Sequence, residues 1–127
     1  MDRERQKIRN FKDLEIWQRG LDLATSVYSV TKAFPKEEVY GLTSQMRRAA
    51  VSVPSNIAEG FNRRSNRDYG RFLYIALGSL GELETQTRIA RNLEFMASSA
   101  AEALIKEIDE IQRMTRNLIK RLEEKDR

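Results

Sequence analysis

Apolar residues recur at alternating spacings of three and four along most of the chain, a period that predicts amphipathic α-helices. In the first segment the apolar line is Leu14, Trp17, Leu21, Ala24, Tyr28 and Thr31, widened by Ile16, Leu23, Val27 and Val30. Asn10 can cap the start of this helix. Phe34-Pro35 ends it, because proline disfavours helical geometry in the preceding residue. Residues 1–10 offer little to bury and are predicted to form a flexible lead-in.

The second segment is apolar around most of its circumference, and this sets it apart from the first. One apolar line is Leu42, Met46, Ala49, Val53, Ile57 and Gly60, and a second line beside it is Ala50, Val51, Pro54, Ala58 and Phe61. A helix that is apolar on two sides has to be buried on two sides. In a small bundle a second subunit covers the extra side most easily. The second line is therefore predicted to be an oligomer interface.

Pro54 lies inside this second helical pattern, and the sequence allows two interpretations of it. Proline removes a backbone donor and bends a helix, at a cost of about 3 kcal/mol unless the surroundings accommodate it. The first interpretation is a continuous helix with a kink at the proline. The second is a break, with Ser52 capping a new helix whose first turn contains the proline.

Two capping-box spacings predict the starts of two more helices. Ser65 with Asp68 opens a third helix at about Asn66, and Ser99 with Glu102 opens a fourth. Their inner faces are Tyr69, Phe72, Ala76, Leu80, Leu83, Thr87 and Ala90, and Leu104, Ile108, Ile111, Thr115, Leu118 and Leu122. The glycines of the third helix, at positions 70, 78 and 81, predict close approach of another backbone. Short connections predict an all-α, antiparallel up-down four-helix bundle over residues 11–124, with a proline-kinked second helix.

Positive charge is concentrated in residues 41–71. The stretch contains two acids, Glu59 and Asp68, and six arginines: Arg47, Arg48, Arg63, Arg64, Arg67 and Arg71. Its net charge of +4 equals that of the whole chain. Guanidinium groups bind phosphate oxygens bidentately, so these six arginines are candidate nucleic-acid contacts. For Arg47 and Arg48 the alternative is a structural role within the bundle, with Glu82 and Glu84 as partners.

Three residues of the second helix look like a site but also have a packing explanation. Gly60 can admit a close helix, and Glu59 can pair with Arg63 four residues later. Asn56 can satisfy carbonyl groups that Pro54 releases. We therefore assign Asn56, Glu59 and Gly60 to a structural motif.

The composition argues against catalysis and against metal or cofactor binding. The chain of 127 residues has no cysteine and no histidine, which removes thiolate sites, disulfides and the commonest general base. Its serines have no evident activating base. The sequence shows no signal peptide and no run suited to cross a bilayer. The expectation is a non-enzymatic, cytoplasmic protein without a membrane partner.

Several sequence blocks resemble the four-helix-bundle proteins of the 23S rRNA intervening-sequence family. The specific blocks are Gln45-Met46-Arg47-Arg48-Ala49-Ala50 and Asn56-Ile57-Ala58-Glu59-Gly60, and shorter ones include Ser52-Val53-Pro54, Gly78-Ser79 and Glu82-Leu83-Glu84. The resemblance covers roughly residues 11–122 and implies a bundle that assembles into a ring, typically a homopentamer. The family is also similar to the accessory variability protein of diversity-generating retroelements, a pentameric bundle that binds nucleic acid beside a reverse transcriptase. The implied partners are further copies of the chain, RNA or DNA, and a reverse transcriptase or other protein.

The leading hypothesis is therefore a ring-forming helical protein that binds RNA or DNA through a basic surface. The alternative is a homo-oligomeric protein-interaction scaffold in which the basic charge serves solubility. The two differ in whether charge reversal at the arginines abolishes binding.

Overall fold

The computed structural model describes residues 8–126 and consists of four long helices joined by short turns. These are α1 (Glu15–Thr31), α2 (Leu42–Phe61), α3 (Asn66–Asn92) and α4 (Ser98–Lys125). The predicted all-α, four-helix class is confirmed. Most of the predicted flexible lead-in, residues 1–7, lies outside the described residues.

Two hydrogen bonds link the start of one helix to the end of another. Near the start of α2, Arg47 Nε donates a hydrogen bond of 2.9 Å to Thr31 Oγ1 at the end of α1. At the start of α3, Asn66 Nδ2 donates to Asp126 Oδ1, just beyond α4, at 3.2 Å. Both contacts join the start of one helix to the end of another, as the predicted up-down order requires, and the order itself stays a prediction.

The core consists of aliphatic side chains that all four helices contribute. Its fully buried members include Leu23, Val27, Met46, Val53, Ile57, Leu73, Leu80, Leu83, Ile108 and Ile111. In α1, however, the predicted inner line is partly wrong, because Leu21 and Tyr28 are nearly half exposed. Gly20 of α1 packs against Val53 of α2, with the position of its absent Cβ 3.4 Å from Cγ1. The side of α1 that carries Gly20 therefore faces α2, and Leu23 and Val27 form the centre of its buried face.

Helix α2 continues without a break through Pro54, so the interpretation as two separate helices is wrong. The kink itself stays a prediction. Ala50 and Pro54 are buried within the protomer. A second subunit is therefore not needed to cover them, and their assignment to an oligomer interface is wrong. Of the other predicted interface residues, Val51 is exposed, whereas Ala58 and Phe61 are half-buried.

The first of the two predicted capping boxes is present in part, as an N-cap hydrogen bond to Ser65. Ser65 Oγ accepts a hydrogen bond of 3.1 Å from Asp68 N, and α3 begins at Asn66 as predicted. The predicted cap at Ser99 is wrong, because α4 already begins at Ser98 and no side chain caps it. Because α4 starts two residues earlier than a cap at Ser99 predicts, Ser99 lies inside the first turn.

The turn before α4 closes α3 with two backbone hydrogen bonds. Glu94 N donates to Arg91 O at 3.0 Å, and Phe95 N donates to Ala90 O at 2.9 Å. This is the Schellman arrangement, in which the residue after the C-cap adopts a positive φ. Glu94 fills that position with a φ of 63°, where glycine is the usual choice.

The glycines of α3 do not have the role that the sequence predicts. At Gly70, Gly78 and Gly81 a Cβ atom would meet no heavy atom within 4 Å. Close approach occurs instead at Gly60 of α2, where a Cβ would lie 2.9 Å from Phe72 Cβ. The prediction was wrong for α3 because its three glycines do not face the contact with α2.

Charged side chains hold part of the contact between α1 and α4. Arg19 donates to Glu107 through Nε and Nη2, both at 2.9 Å, and its Nη2 also contacts Glu110 Oε1. The hydrogen bond from Arg19 lowers the pKa of the Glu110 carboxyl below its ordinary value of 4.5. In turn, the hydrogen bonds to the two carboxylates raise the pKa of Arg19, with Glu107 as the larger cause and Glu110 as the next.

Candidate nucleic-acid interface

The six candidate arginines form two separate groups. Arg47 and Arg48 lie in the first half of α2, and the other four surround the α2–α3 junction. Arg47 and Arg63 are 16 positions apart in sequence, which corresponds to about 24 Å along a helix axis at 1.5 Å per residue. The six side chains therefore cannot contact one short stretch of phosphates together.

Arg47 joins α2 to α1. Besides its bond to Thr31, its Nη2 donates to the Tyr28 carbonyl at 3.4 Å. Its guanidinium lies over the Tyr28 ring, 4.5 Å from the centroid, in cation–π geometry. The structural alternative fits Arg47, but its predicted partners are wrong, since it contacts α1 and neither Glu82 nor Glu84.

Arg48 is exposed and borders a polar groove between α2 and α3. The groove has a volume of about 260 Å³, and Glu82 borders it too. Within residues 8–126 the two side chains form no ion pair at 4.0 Å or less, and Glu84 pairs with Arg88 at 3.0 Å. Arg48 thus keeps a guanidinium group that is open to an external partner.

Two of the four junction arginines are held by intramolecular contacts. Arg63 pairs with Glu59, as the spacing of four predicts, and Arg71 lies 3.6 Å from Asp68. Both guanidinium groups also lie over the ring of Phe72, at 4.6 and 5.1 Å from its centroid. The ring orders these cations, while the acids neutralise part of their charge.

Arg64 and Arg67 are the two junction arginines that remain available. Both are exposed, and within the described part of the chain neither has an acidic partner at 4.0 Å or less. Arg67 borders an open groove of about 760 Å³ between the start of α3 and the end of α4. Their guanidinium donors are therefore free to bind an anion from outside the protomer.

Arg121 adds a cation to the same end of the bundle, and the sequence analysis missed it. Burial raises the pKa of the Tyr69 hydroxyl to about 12, and the positive charge of Arg121 opposes this rise. Arg121 of α4 also lines a groove with Leu14 and Glu15 at the start of α1. The predicted up-down order is the signal that could have revealed it, because in such a bundle the end of α4 returns to the start of α3.

The described residues show neither a metal site nor a membrane span. In residues 8–126, no three acidic, histidine or cysteine side chains gather closely enough to hold a metal ion. None of the helices in this range combines the length and the apolar character that crossing a bilayer requires.

The sequence of this chain matches a known protein family. The family described as the 23S rRNA-intervening sequence protein matches residues 12–117, which is most of the sequence. The chain belongs to this family. A search of curated proteins finds no match.

A solved structure shares the fold. It is the crystal structure of a protein of unknown function from the S23 ribosomal protein family of Bacteroides thetaiotaomicron VPI-5482. The two are 21% identical with a TM-score of 0.75, over 83% of this chain and 98% of the other. At this identity the similarity supports the shared fold and carries no function to this chain.

The sequence blocks that carry the family resemblance meet along the groove between α2 and α3. Ser52 Oγ lies 2.8 Å from Ser79 Oγ, so the two hydroxyls link the helices. Asn56 Nδ2 donates to both the carbonyl and the hydroxyl oxygen of Ser52, each at 2.8 Å. The predicted role of Asn56 is therefore wrong in detail. Pro54 frees the carbonyl four residues earlier, that of Ala50, and Asn56 does not bind it.

Proposed function

We propose that this 23S rRNA-intervening sequence protein is a non-enzymatic, ring-forming bundle that binds RNA or DNA at the α2–α3 junction. The observation that carries the proposal is the pair of exposed arginines, Arg64 and Arg67, without acidic partners in residues 8–126. Arg63 and Arg71 stand on either side of them over the Phe72 ring. This arrangement suits phosphate oxygens, which guanidinium groups bind well.

Binding of this kind recognises the nucleic-acid backbone more than the sequence of bases. Contacts to phosphates fix position and carry no direct sequence information. The exposed guanidinium groups of Arg64 and Arg67 are suited to such backbone contacts. RNA and DNA of different sequences are thus expected to bind with similar affinity.

The affinity should fall steeply as salt rises, because each phosphate contact releases a condensed counterion. For two to four contacts per protomer, raising the salt from 50 to 200 mM should weaken binding by about tenfold to a hundredfold. A gel-shift titration with a structured RNA and a DNA duplex at both salt concentrations measures this. Absence of binding at 50 mM salt, or an affinity that does not change between the two salt concentrations, would contradict the proposal.

Two separate exposed apolar surfaces support assembly into a ring. The first lies on the outer side of α1 and α2, where Leu21, Tyr28 and Val51 are each exposed by more than two fifths. The second lies on the outer side of α3, with Ile75 and Ile89. A closed ring uses a head-to-tail contact, in which one surface of each subunit meets a different surface of the next. Such a ring would repeat the junction arginines around one edge and strengthen weak binding.

The assembly can be tested by placing a charge in the first apolar surface. Val51→Glu should leave the protomer folded but convert a multimer of the 14.8 kDa chain to a monomer, because a carboxylate would be buried unpaired. Light scattering after size exclusion gives the mass, and Ser29→Glu on an exposed position of α1 serves as the control. A wild-type chain that is monomeric at high concentration would remove the ring from the proposal.

The second candidate function is a homo-oligomeric scaffold for protein partners. The same exposed apolar surfaces favour it, because patches of this kind mark protein contacts. In that case the junction arginines serve solubility, and reversing their charge would leave partner binding intact.

A further inference from the structure

The turn between α1 and α2 carries a pocket that the nucleic-acid proposal does not use. The pocket has a volume of about 470 Å³, and the side chains that matter here are Lys32, Phe34, Pro35, Lys36, Val39 and Arg47. Among the described residues that line it, three are cationic and none is acidic. It therefore combines an apolar interior with a positively charged rim.

Local hydrogen bonds hold the wall of this pocket in place. Glu38 N donates to Pro35 O, and Gly41 N donates to Glu38 O, both at 2.9 Å. The Glu38 carboxylate accepts from Leu42 N at 3.0 Å, so its charge is directed to the start of α2. Arg47 is fixed by its contacts to α1. A pocket held in this way loses little conformational entropy when it binds a ligand.

Two large side chains beside the pocket have little to pack against. Tyr40 is 95% exposed and Val39 is 50% exposed, at the tip of the turn. Tyrosine and arginine are the residue types enriched where protein partners bind most strongly. The exposed Tyr40 and the ordered Arg47 on the pocket rim thus supply residue types that protein contacts use.

We propose that this pocket docks a short acidic segment of a partner protein, which inserts one apolar side chain between Phe34 and Val39. The carboxylates of the segment would pair with Lys32, Lys36 and Arg47 on the rim. A nucleic acid bound through its phosphates would use the cations of the rim but leave the apolar interior empty, so the interior favours a peptide. The two hydroxyl side chains among the lining residues, Thr31 and Thr43, are themselves buried.

This site is independent of the junction arginines. It lies at the start of α2, and the junction follows the end of this 20-residue helix, about 30 Å away at 1.5 Å per residue. Protein and nucleic acid could therefore bind the same protomer at the same time.

The probe for the test is a random dodecapeptide library displayed on phage, selected on the full-length protein. The enriched sequences should carry at least two acids next to an aromatic or branched aliphatic residue. The strongest peptide, labelled with fluorescein, is then titrated against the wild type and the double variant Lys32→Glu/Lys36→Glu. We expect the double variant to bind at least tenfold more weakly, because attraction at the rim becomes repulsion.

The control is Lys106→Glu/Arg116→Glu on α4, which changes the net charge equally at exposed positions outside the pocket. It should change the affinity by less than threefold. Circular dichroism checks the fold, and Lys32→Gln/Lys36→Gln replaces the first variant if that one unfolds, with a smaller loss expected. The proposal is overturned if the library yields no acidic bias or if both double variants weaken binding alike. It also fails if the rim variant reduces RNA binding as much as peptide binding.

Discussion

Replacing Gly60 with alanine should lower the free energy of unfolding by about 2 kcal/mol. The new Cβ atom would lie 2.9 Å from Phe72 Cβ and 3.0 Å from the Tyr69 carbonyl oxygen, closer than such atoms approach. Neither neighbour is the flexible end of a side chain, so α2 and α3 would have to separate. Overpacking of this kind costs up to about 3 kcal/mol, and the better helix propensity of alanine returns about 1 kcal/mol.

The matched control for this change is Gly81→Ala in the adjacent helix. A Cβ atom there meets no heavy atom within 4 Å, so only the propensity term remains and the bundle should gain about 1 kcal/mol. Urea denaturation at one protein concentration compares both variants with the wild type. If alanine at position 60 is neutral or stabilising, the close packing of α2 on α3 is not what the structure indicates.

Reversing the charge of Arg64 and Arg67 together should weaken RNA binding by about a hundredfold at 50 mM salt. Each substitution removes one phosphate contact and adds a repulsive charge, and a loss of about 1.4 kcal/mol per site corresponds to tenfold. The variant is Arg64→Glu/Arg67→Glu, and fluorescence anisotropy with a labelled RNA hairpin measures the affinity. The salt dependence should become shallower as well, because fewer counterions are released.

The Lys106→Glu/Arg116→Glu variant again tests whether net charge alone matters. It lowers the net charge by the same amount, yet it should reduce RNA affinity by less than threefold. If both variants lose RNA affinity equally, binding depends on the overall charge of the protein and the junction is not a specific site. If the junction variant binds RNA as well as the wild type does and also retains a protein partner, the result would favour the scaffold.

Helical periodicity was sufficient to predict the four helices but not which side of α1 faces the core. Two apolar lines run side by side in α1, and the period alone does not rank them. The contact of Gly20 with α2 decides in favour of the line with Leu23 and Val27, which leaves Leu21 and Tyr28 outside. A glycine among larger residues was the available signal.

The candidate site was predictable where it depends on local spacing. Glu59 and Arg63 pair at a spacing of four, and Ser65 caps α3. Contacts between helices were not predictable in this way. Arg47 binds a carbonyl and a ring of α1, and Arg121 approaches from the far end of the sequence, because tertiary packing decides both.

The ion pairs of Arg19 also indicate how the bundle closes as it folds. They join residues 88 and 91 positions apart, whereas the other three helix pairs are consecutive in the chain. Consecutive hairpins close short loops, so the contact between the first and last helices is expected to form last. Because Glu110 has a lowered pKa in the folded chain, its contribution is complete above about pH 4.5 and disappears as the pH falls below that. Acid should thus weaken the contact between the first and last helices.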